Sequence, residues 1–202
     1  MGLALSLGLG GCASDPPTRF HSLLPAEPVR AQAIDSAAAA SPPLVITLAP
    51  VRVPAQVDQP QWLVRLPDGS LQLLEQDRWA APLRDELHAA LLEALARRWG
   101  AVDNRTAPGA APAAWRIVVD LTRFESVLGR EARIEARWSI ARSAAAGTPL
   151  LTCGSVLREP AETPLGLAQG HRQAVLRLAD AIGATLRALS RVEAPGCPPT
   201  GE

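Results

Sequence analysis

Several segments in the second half of the chain alternate apolar and polar residues with the two-residue period of a β-strand. Between residues 130 and 140, apolar side chains occupy every second position, and mostly Arg or Glu fills the positions between them. Because successive strand side chains point to opposite faces, this pattern predicts a strand with one buried and one solvated face. Residues 115–124 and 150–158 predict two further strands. Shorter apolar runs at 19–24 and 44–49 predict two more, the second of them buried.

A hairpin is predicted between residues 62–66 and 71–74. The two apolar segments flank Pro67-Asp68-Gly69-Ser70. An Asp-Gly pair between alternating segments favours a tight turn, because glycine supplies the positive backbone angle that such turns require.

Two longer segments have the spacing of amphipathic helices. In residues 80–99, Pro82 suits the first turn and Gly100 suits a C-terminal cap. Residues 165–190 predict the second helix. The apolar stripe of the first helix consists of Leu83, Leu87, Leu91, Leu95 and Trp99, with Leu92 beside it, and that of the second consists of Leu167, Val175, Leu178, Ile182, Leu186 and Leu189. Each stripe requires a sheet to pack against.

The order of these elements predicts the fold class. Strands, a helix, three strands and a helix favour a single α+β domain, built as a two-layer sandwich of a mixed or antiparallel sheet with two main amphipathic helices. We assign the domain to residues 18–192 and expect loops rich in Pro, Ala and Gly at 26–43 and 101–113. We expect a turn at 144–149 and a loose tail at 193–202.

The first twelve residues predict an export signal and a lipid attachment site. The apolar run of residues 1–11 is too short to span a bilayer, and it fits the hydrophobic region of a signal peptide. Leu9-Gly10-Gly11-Cys12 resembles the bacterial lipobox. That resemblance implies cleavage before Cys12, diacylglycerol on its thiol and an acyl chain on its new amino group. Residues 12–17 would then be a lipidated linker, and Ala13 favours delivery to the outer membrane, facing the periplasm.

Composition and charge exclude several function classes. Twenty basic and twenty acidic residues cancel in 202 residues, and every basic residue is Arg. A neutral chain lacks the strong positive field that nucleic-acid binding usually needs, so we expect no nucleic-acid partner. With 48% hydrophobic residues the chain is able to bury a substantial core, which excludes wholesale disorder.

The sequence predicts no enzyme, metal site or cofactor. The three histidines, His21, His88 and His171, lie in no recognisable nucleophile motif, and we expect them at the surface. Asp85 and Glu86 are adjacent on a helix and point about 100° apart, so they do not form a working carboxylate pair. The three cysteines and three histidines show no metal-ligand spacing.

Two cysteines remain once Cys12 is lipidated. Cys153 and Cys197 either form a disulfide, as an oxidising compartment favours, or remain as a buried and an exposed free thiol. The sequence leaves both alternatives open.

The order of several short motifs resembles a known family. Pro50-Val51-Arg52-Val53-Pro54 is followed by Gln59-Pro60 and then by Arg78-Trp79-Ala80-Ala81-Pro82-Leu83. Together with the lipobox, this order resembles the ABC-type transport auxiliary lipoproteins (PqiC/YmbA-like) over about residues 18–190. The resemblance implies an accessory lipoprotein of a lipid transport system between the inner and outer membranes. Its implied partners are a protein with mammalian-cell-entry (MCE) domains and an inner-membrane permease.

The segments 50–62 and 78–82 are candidates for a partner-docking surface. Trp and Arg are favoured interface anchors, which makes Arg52, Trp62, Arg78 and Trp79 the candidate contact residues. The alternative is that the two tryptophans pack beneath the hairpin. Two alternative functions also stay open, a lipid-binding carrier and an outer-membrane assembly lipoprotein, and a homo-oligomer is compatible with all of them.

Overall fold

The computed structural model describes residues 16–25, 43–105, 115–143, 148–191 and 196–198. These ranges form eight strands and two α-helices. The elements are β1 (Arg19–His21), β2 (Leu44–Leu48), β3 (Gln61–Arg65), β4 (Leu71–Trp79), α1 (Leu83–Trp99), β5 (Ala101–Asp103), β6 (Trp115–Val127), β7 (Glu131–Arg142), β8 (Leu151–Pro160) and α2 (Pro164–Ser190), with a short 3-10 turn at Ala55–Val57.

The long strand β6 organises one mixed sheet. On one side, β7 pairs with β6 and β8 pairs with β7, all antiparallel. On the other side, β2 and β3 lie end to end along β6, and both run parallel to it. Beyond β2 lies β5, and beyond β3 lie β4 and then β1. The chain between β2 and β3 therefore leaves the sheet halfway along β6.

Both helices cover the same face of this sheet and contact each other. The helix α1 packs on β2 and β5, and α2 packs on β7 and β8. The predicted stripe of α1 is buried at Leu83, Leu87, Leu91 and Leu95. The opposite face of β7 carries the Arg and Glu residues of the alternating pattern. The predicted two-layer α+β sandwich is thus confirmed. The layers pack together because each apolar helix stripe is removed from water against the sheet.

Three predicted boundaries were wrong. The first helix begins at Leu83, not at residue 80, because β4 continues through Trp79. The strand is longer than predicted because β1, distant in sequence, pairs in parallel with Asp77–Trp79. The start of the predicted 101–113 loop is also different, since Ala101–Asp103 forms β5 beside β2.

Three glycines have conformations or contacts that explain their positions. Gly69 has φ +88° in the predicted hairpin turn, and Gly100 has φ +65° and caps α1. A Cβ placed on Gly183 of α2 would lie 2.3 Å from the ring of Trp99. The close approach of the two helices therefore requires glycine at position 183.

Several predictions fall on residues outside the described ranges. These are the signal peptide at 1–11, the lipidated Cys12, most of the 26–43 loop and part of the 144–149 turn. Of the tail at 193–202, only residues 196–198 are described.

Candidate partner-docking surface

The two sequence blocks predicted for docking meet at one place on the surface. The chain that leaves the sheet after β2 makes the 3-10 turn at Ala55–Val57 and returns at Pro60. The Trp79 backbone N–H donates to the Pro60 carbonyl at 3.3 Å, which brings the end of β4 beside this return. The Ala80 N–H donates to the His21 carbonyl at 2.8 Å. We call Asp58–Pro60 and Ala80–Arg84 together the docking surface.

A shallow pocket of about 350 Å³ opens on the docking surface. Pro60, Trp79, Ala80, Ala81 and Pro82 form much of its wall. Proline and alanine side chains offer apolar area without rotamer freedom, so ordering them on binding costs little conformational entropy.

An ion pair and a second cavity border this pocket. Arg84 donates to Asp58 at 2.9 Å and so joins the start of α1 to the loop before β3. Arg84 also lines an adjoining cavity of about 180 Å³ with Pro50, Val51 and His88. The surface thus combines apolar walls with a partly exposed cation.

The two tryptophans proposed as contact residues are buried, as the alternative prediction stated, although Trp79 also forms part of the pocket wall. Trp62 is 1% exposed and Trp79 is 5% exposed. Their ring centroids are 4.7 Å apart, and Trp79 also lies edge-on to Phe124. Their burial follows from strand alternation, which directs both side chains under the sheet toward α2. They support the docking surface from beneath.

The two arginines proposed for docking lie on the other side of the sheet. The Arg52 side chain is 70% exposed and pairs with Asp120 at 3.3 Å. Arg78 is half-buried, and its Nε has no hydrogen-bond partner among the described residues. It lies in register with Gln61 of β3 and Phe20 of β1. Neither arginine lines the pocket, so the four proposed residues do not form one contact site.

A buried polar chain connects three elements beneath the pocket. Trp62 Nε1 donates to Ser126 Oγ at 2.8 Å, and Ser126 Oγ lies 2.7 Å from His171 Nε2. The His171 ring stacks on Phe124 at 3.9 Å between centroids. Complete burial lowers the pKa of His171 to about 3. The imidazole is therefore neutral at physiological pH and ties α2 to β3 and β6.

The surface position predicted for His171 was wrong, and the sequence contained a signal for its burial. His171 lies four residues after Leu167 and four before Val175, on the apolar stripe of α2. That spacing places it in the core. Its buried Nδ1 has no hydrogen-bond partner within the described ranges.

A second polar cluster joins β1 to β4. Arg19 donates two hydrogen bonds to the buried Asp77 carboxylate, and His21 Nε2 lies 2.7 Å from it. Burial acts to raise the pKa of Asp77, but the hydrogen bonds and charges of Arg19 and His21 outweigh it and hold that pKa below its usual range. The carboxylate stays ionised and anchors the short strand β1.

Glu86, one of the two adjacent carboxylates, has a structural role. It is buried and accepts hydrogen bonds from Ser22 Oγ at 2.7 Å and the Leu23 N–H at 2.8 Å. Because Glu86 lies in the first turn of α1, its negative charge also complements the helix dipole. The chain after β1 is thereby attached to α1.

The histidines do not assemble a recognisable catalytic group. His171 and Ser126 are within hydrogen-bond distance, but both are buried, so a substrate has no access to them. His88 lies 3.3 Å from the Leu48 carbonyl and 3.0 Å from Arg105. In the described part of the chain, no three His, Cys, Asp or Glu side chains are grouped to hold a metal ion.

The two remaining cysteines are joined in the structure. The Cys153 and Cys197 sulfurs are bonded, with their Cα atoms 5.5 Å apart. Cys153 is a buried residue of β8, and Cys197 belongs to the tail. The bridge attaches the tail to the edge strand of the sheet.

Within the described ranges, neither helix is long and apolar enough to cross a membrane. Cys12, the predicted lipid attachment site, lies outside these ranges.

Comparison with known proteins gives one family match. A model of the family described as "ABC-type transport auxiliary lipoprotein component" matches residues 23–183. A comparison with curated proteins found no match.

Two solved structures share the fold. Protein XCC0632 from Xanthomonas campestris is 21% identical, with a TM-score of 0.59 over 76% of this chain and 91% of its own. An uncharacterized protein is 15% identical, with a TM-score of 0.59 over 84% of this chain and 98% of its own. At these identities the likeness concerns the fold alone.

Proposed function

Because the chain belongs to the ABC-type transport auxiliary lipoprotein family, we propose that it is a periplasm-facing accessory subunit of an MCE-domain lipid transport system. The lipid on Cys12 holds it at the outer membrane. It docks and tethers its partners, an MCE-domain protein and the inner-membrane permease of the same system, and it catalyses no reaction.

The observation that carries this proposal is the convergence of two distant segments on one pocket. Residues 58–60 and 80–84 are about twenty residues apart in sequence, and each segment overlaps one of the motifs that resemble the family. Their pocket is open and walled by rigid apolar residues. It contains an ion pair but no nucleophile paired with a base, which suits recognition rather than catalysis.

Within the described ranges, the packing between the helices and the sheet does not favour a carrier with a lipid cavity there. The space between helices and sheet is filled by side chains such as Leu91, Ile117 and Leu178, which are fully buried. The groove between α1 and α2 encloses about 160 Å³, well below the roughly 300–1,000 Å³ of ligand pockets.

Filling the pocket tests the docking function. Ala81 is exposed and lines the pocket, so Ala81→Trp should block it without disturbing the core. We expect this variant to lose co-purification with the MCE-domain partner, with an unchanged circular dichroism spectrum. Gln173→Trp, at an exposed site on α2, is the matched control and should retain the partner. Full retention by Ala81→Trp would remove the pocket from the interface.

Lipid attachment has a separate test. Metabolic labelling with palmitate should be lost in Cys12→Ala, because the thiol that receives the diacylglycerol is gone. Undiminished labelling of Cys12→Ala would end the proposal that Cys12 is the anchor.

A further inference from the structure

The sheet face opposite the helices is rich in arginine although the whole chain is neutral. The described ranges carry nineteen Arg and fifteen acidic residues. Much of that excess lies on one surface, which we call the outer sheet face. Its charged residues include eight arginines, namely Arg52, Arg65, Arg78, Arg116, Arg123, Arg133, Arg137 and Arg158, and the acids Asp120, Glu125, Glu131 and Glu135.

Ion pairs neutralise only part of this face. Arg65 and Arg123 share Glu125, while Arg123 and Arg133 share Glu135. Arg116, Arg137 and Arg158 are exposed and make no side-chain hydrogen bond or ion pair within the described ranges. These three guanidinium groups are available to an external anion.

The same face is apolar near the start of the domain. Phe20 is 66% exposed, and Leu71 and Leu73 are also exposed. Leu73 lies opposite Leu63 and Leu71 opposite Arg65, so all of them share the outer side of β3 and β4. Phe20 and the two leucines therefore give the β1–β4 part of this face an apolar character that its arginine-rich part lacks.

The position of the predicted anchor favours a membrane as the partner. Arg19, where β1 begins, is only seven positions after Cys12 in the sequence. A fully extended chain of that length spans about 25 Å. A lipid on Cys12 therefore keeps Phe20, and the apolar end of the outer sheet face, close to the bilayer surface.

We propose that the outer sheet face rests on anionic phospholipid headgroups, with Arg116, Arg137 and Arg158 facing lipid phosphates and Phe20 meeting the bilayer beside the anchor. This inference rests on the proposed membrane anchoring of the chain. The arginines are spread over β6, β7 and β8 and do not converge on one point, which suits a surface of many phosphates better than a single acidic partner. The docking surface then remains free for a protein partner.

Vesicle binding tests the proposal in the full chain with Cys12→Ser, so that the anchor does not mask the interaction. The probes are vesicles of phosphatidylglycerol with phosphatidylethanolamine, and vesicles of phosphatidylcholine alone. Each arginine near an anionic surface contributes about fivefold to partitioning. Arg137→Gln with Arg158→Gln should therefore reduce sedimentation with the anionic vesicles about 25-fold. The matched control is Arg97→Gln with Arg191→Gln on the helix layer, which removes the same charge and should change binding less than about twofold.

The salt concentration and the Phe20 side chain provide two further tests. Raising NaCl from about 50 to about 500 mM should suppress most binding of the unaltered face. Phe20→Ser should weaken binding by a factor that salt does not change.

Equal binding to both vesicle types, or equal losses in the two double variants, would overturn the proposal. If the Arg137/Arg158 variant binds vesicles normally but loses the MCE-domain partner, the face is a protein interface. The assay contains neither partner nor anchor, so its failure is distinguishable from failure of the proposed function.

Discussion

The buried imidazole of His171 makes a specific prediction about stability in acid. Its folded-state pKa is about 3, against an ordinary value of 6.5 for histidine, and the cause is complete burial. Below pH 6.5 the unfolded chain takes up a proton that the folded chain excludes. The folded state therefore keeps its full stability above pH 6.5 and loses it as the pH falls toward 3, by about 1.4 kcal/mol per pH unit.

The magnitude can be measured against a variant that cannot titrate at this position. Between pH 7 and pH 5, His171 alone should lower the free energy of unfolding by about 2 kcal/mol. His171→Gln preserves an acceptor for the Ser126 hydroxyl, because a Gln side-chain oxygen reaches about as far as Nε2. Urea unfolding at both pH values should show a loss in the wild type about 2 kcal/mol larger than in this variant.

His88→Gln is the matched control, because it removes a histidine outside the core. It should keep most of the wild-type loss. If wild type and His171→Gln lose equal stability between pH 7 and pH 5, the imidazole is not excluded from protonation, and its assigned burial is wrong.

Two further predictions concern packing and the disulfide. Gly183→Ala should destabilise the protein by about 1–3 kcal/mol, because its Cβ would overlap the Trp99 ring. Thermal unfolding should show a lower midpoint temperature for this variant. Gly154→Ala is the control and should leave the midpoint unchanged, because nothing lies within 4 Å of a Cβ at that position. The Cys153–Cys197 bridge closes a loop of 44 residues, so reduction should lower the free energy of unfolding by about 4 kcal/mol by chain entropy. Two titratable thiols in the denatured, unreduced protein would show that the bridge does not form.

The buried polar groups stabilise the fold in the same way, through hydrogen bonds between distant elements. Ser126 and Asp77 each form hydrogen bonds with side chains from elements far away in sequence, and each hydrogen bond is worth more when water is excluded. Such contacts connect β1, β3, β6 and α2 at defined positions. They add side-chain contacts to the three backbone pairings of the short strand β1, and so position the start of the chain that leads to the predicted anchor.

Separation of charge across the molecule was not visible in the overall composition. The chain has equal numbers of basic and acidic residues, and this balance argued against any strong field. The alternating strand pattern placed Arg133 and Arg137 on a solvated face. Which other arginines share that face depends on strand pairing, since Arg158 of β8 and Arg65 of β3 come from distant segments.

The local pattern of the sequence determined the type of most elements. The period of two predicted β7, and the four-residue recurrence of leucine predicted α1, because burial of one face is a property of each segment alone. The α+β class followed from their order. The motif order also identified the family, which matches residues 23–183.

Other features depend on contacts between distant segments, and only the tertiary structure revealed them. The extension of β4 to Trp79 and the strand β5 exist because other strands supply hydrogen-bond partners. The burial of Trp62 depends on which side of β3 faces α2, and a short strand does not encode that side. The docking surface exists because β2 and β3 share one edge of β6, which directs the chain between them outward toward the start of α1.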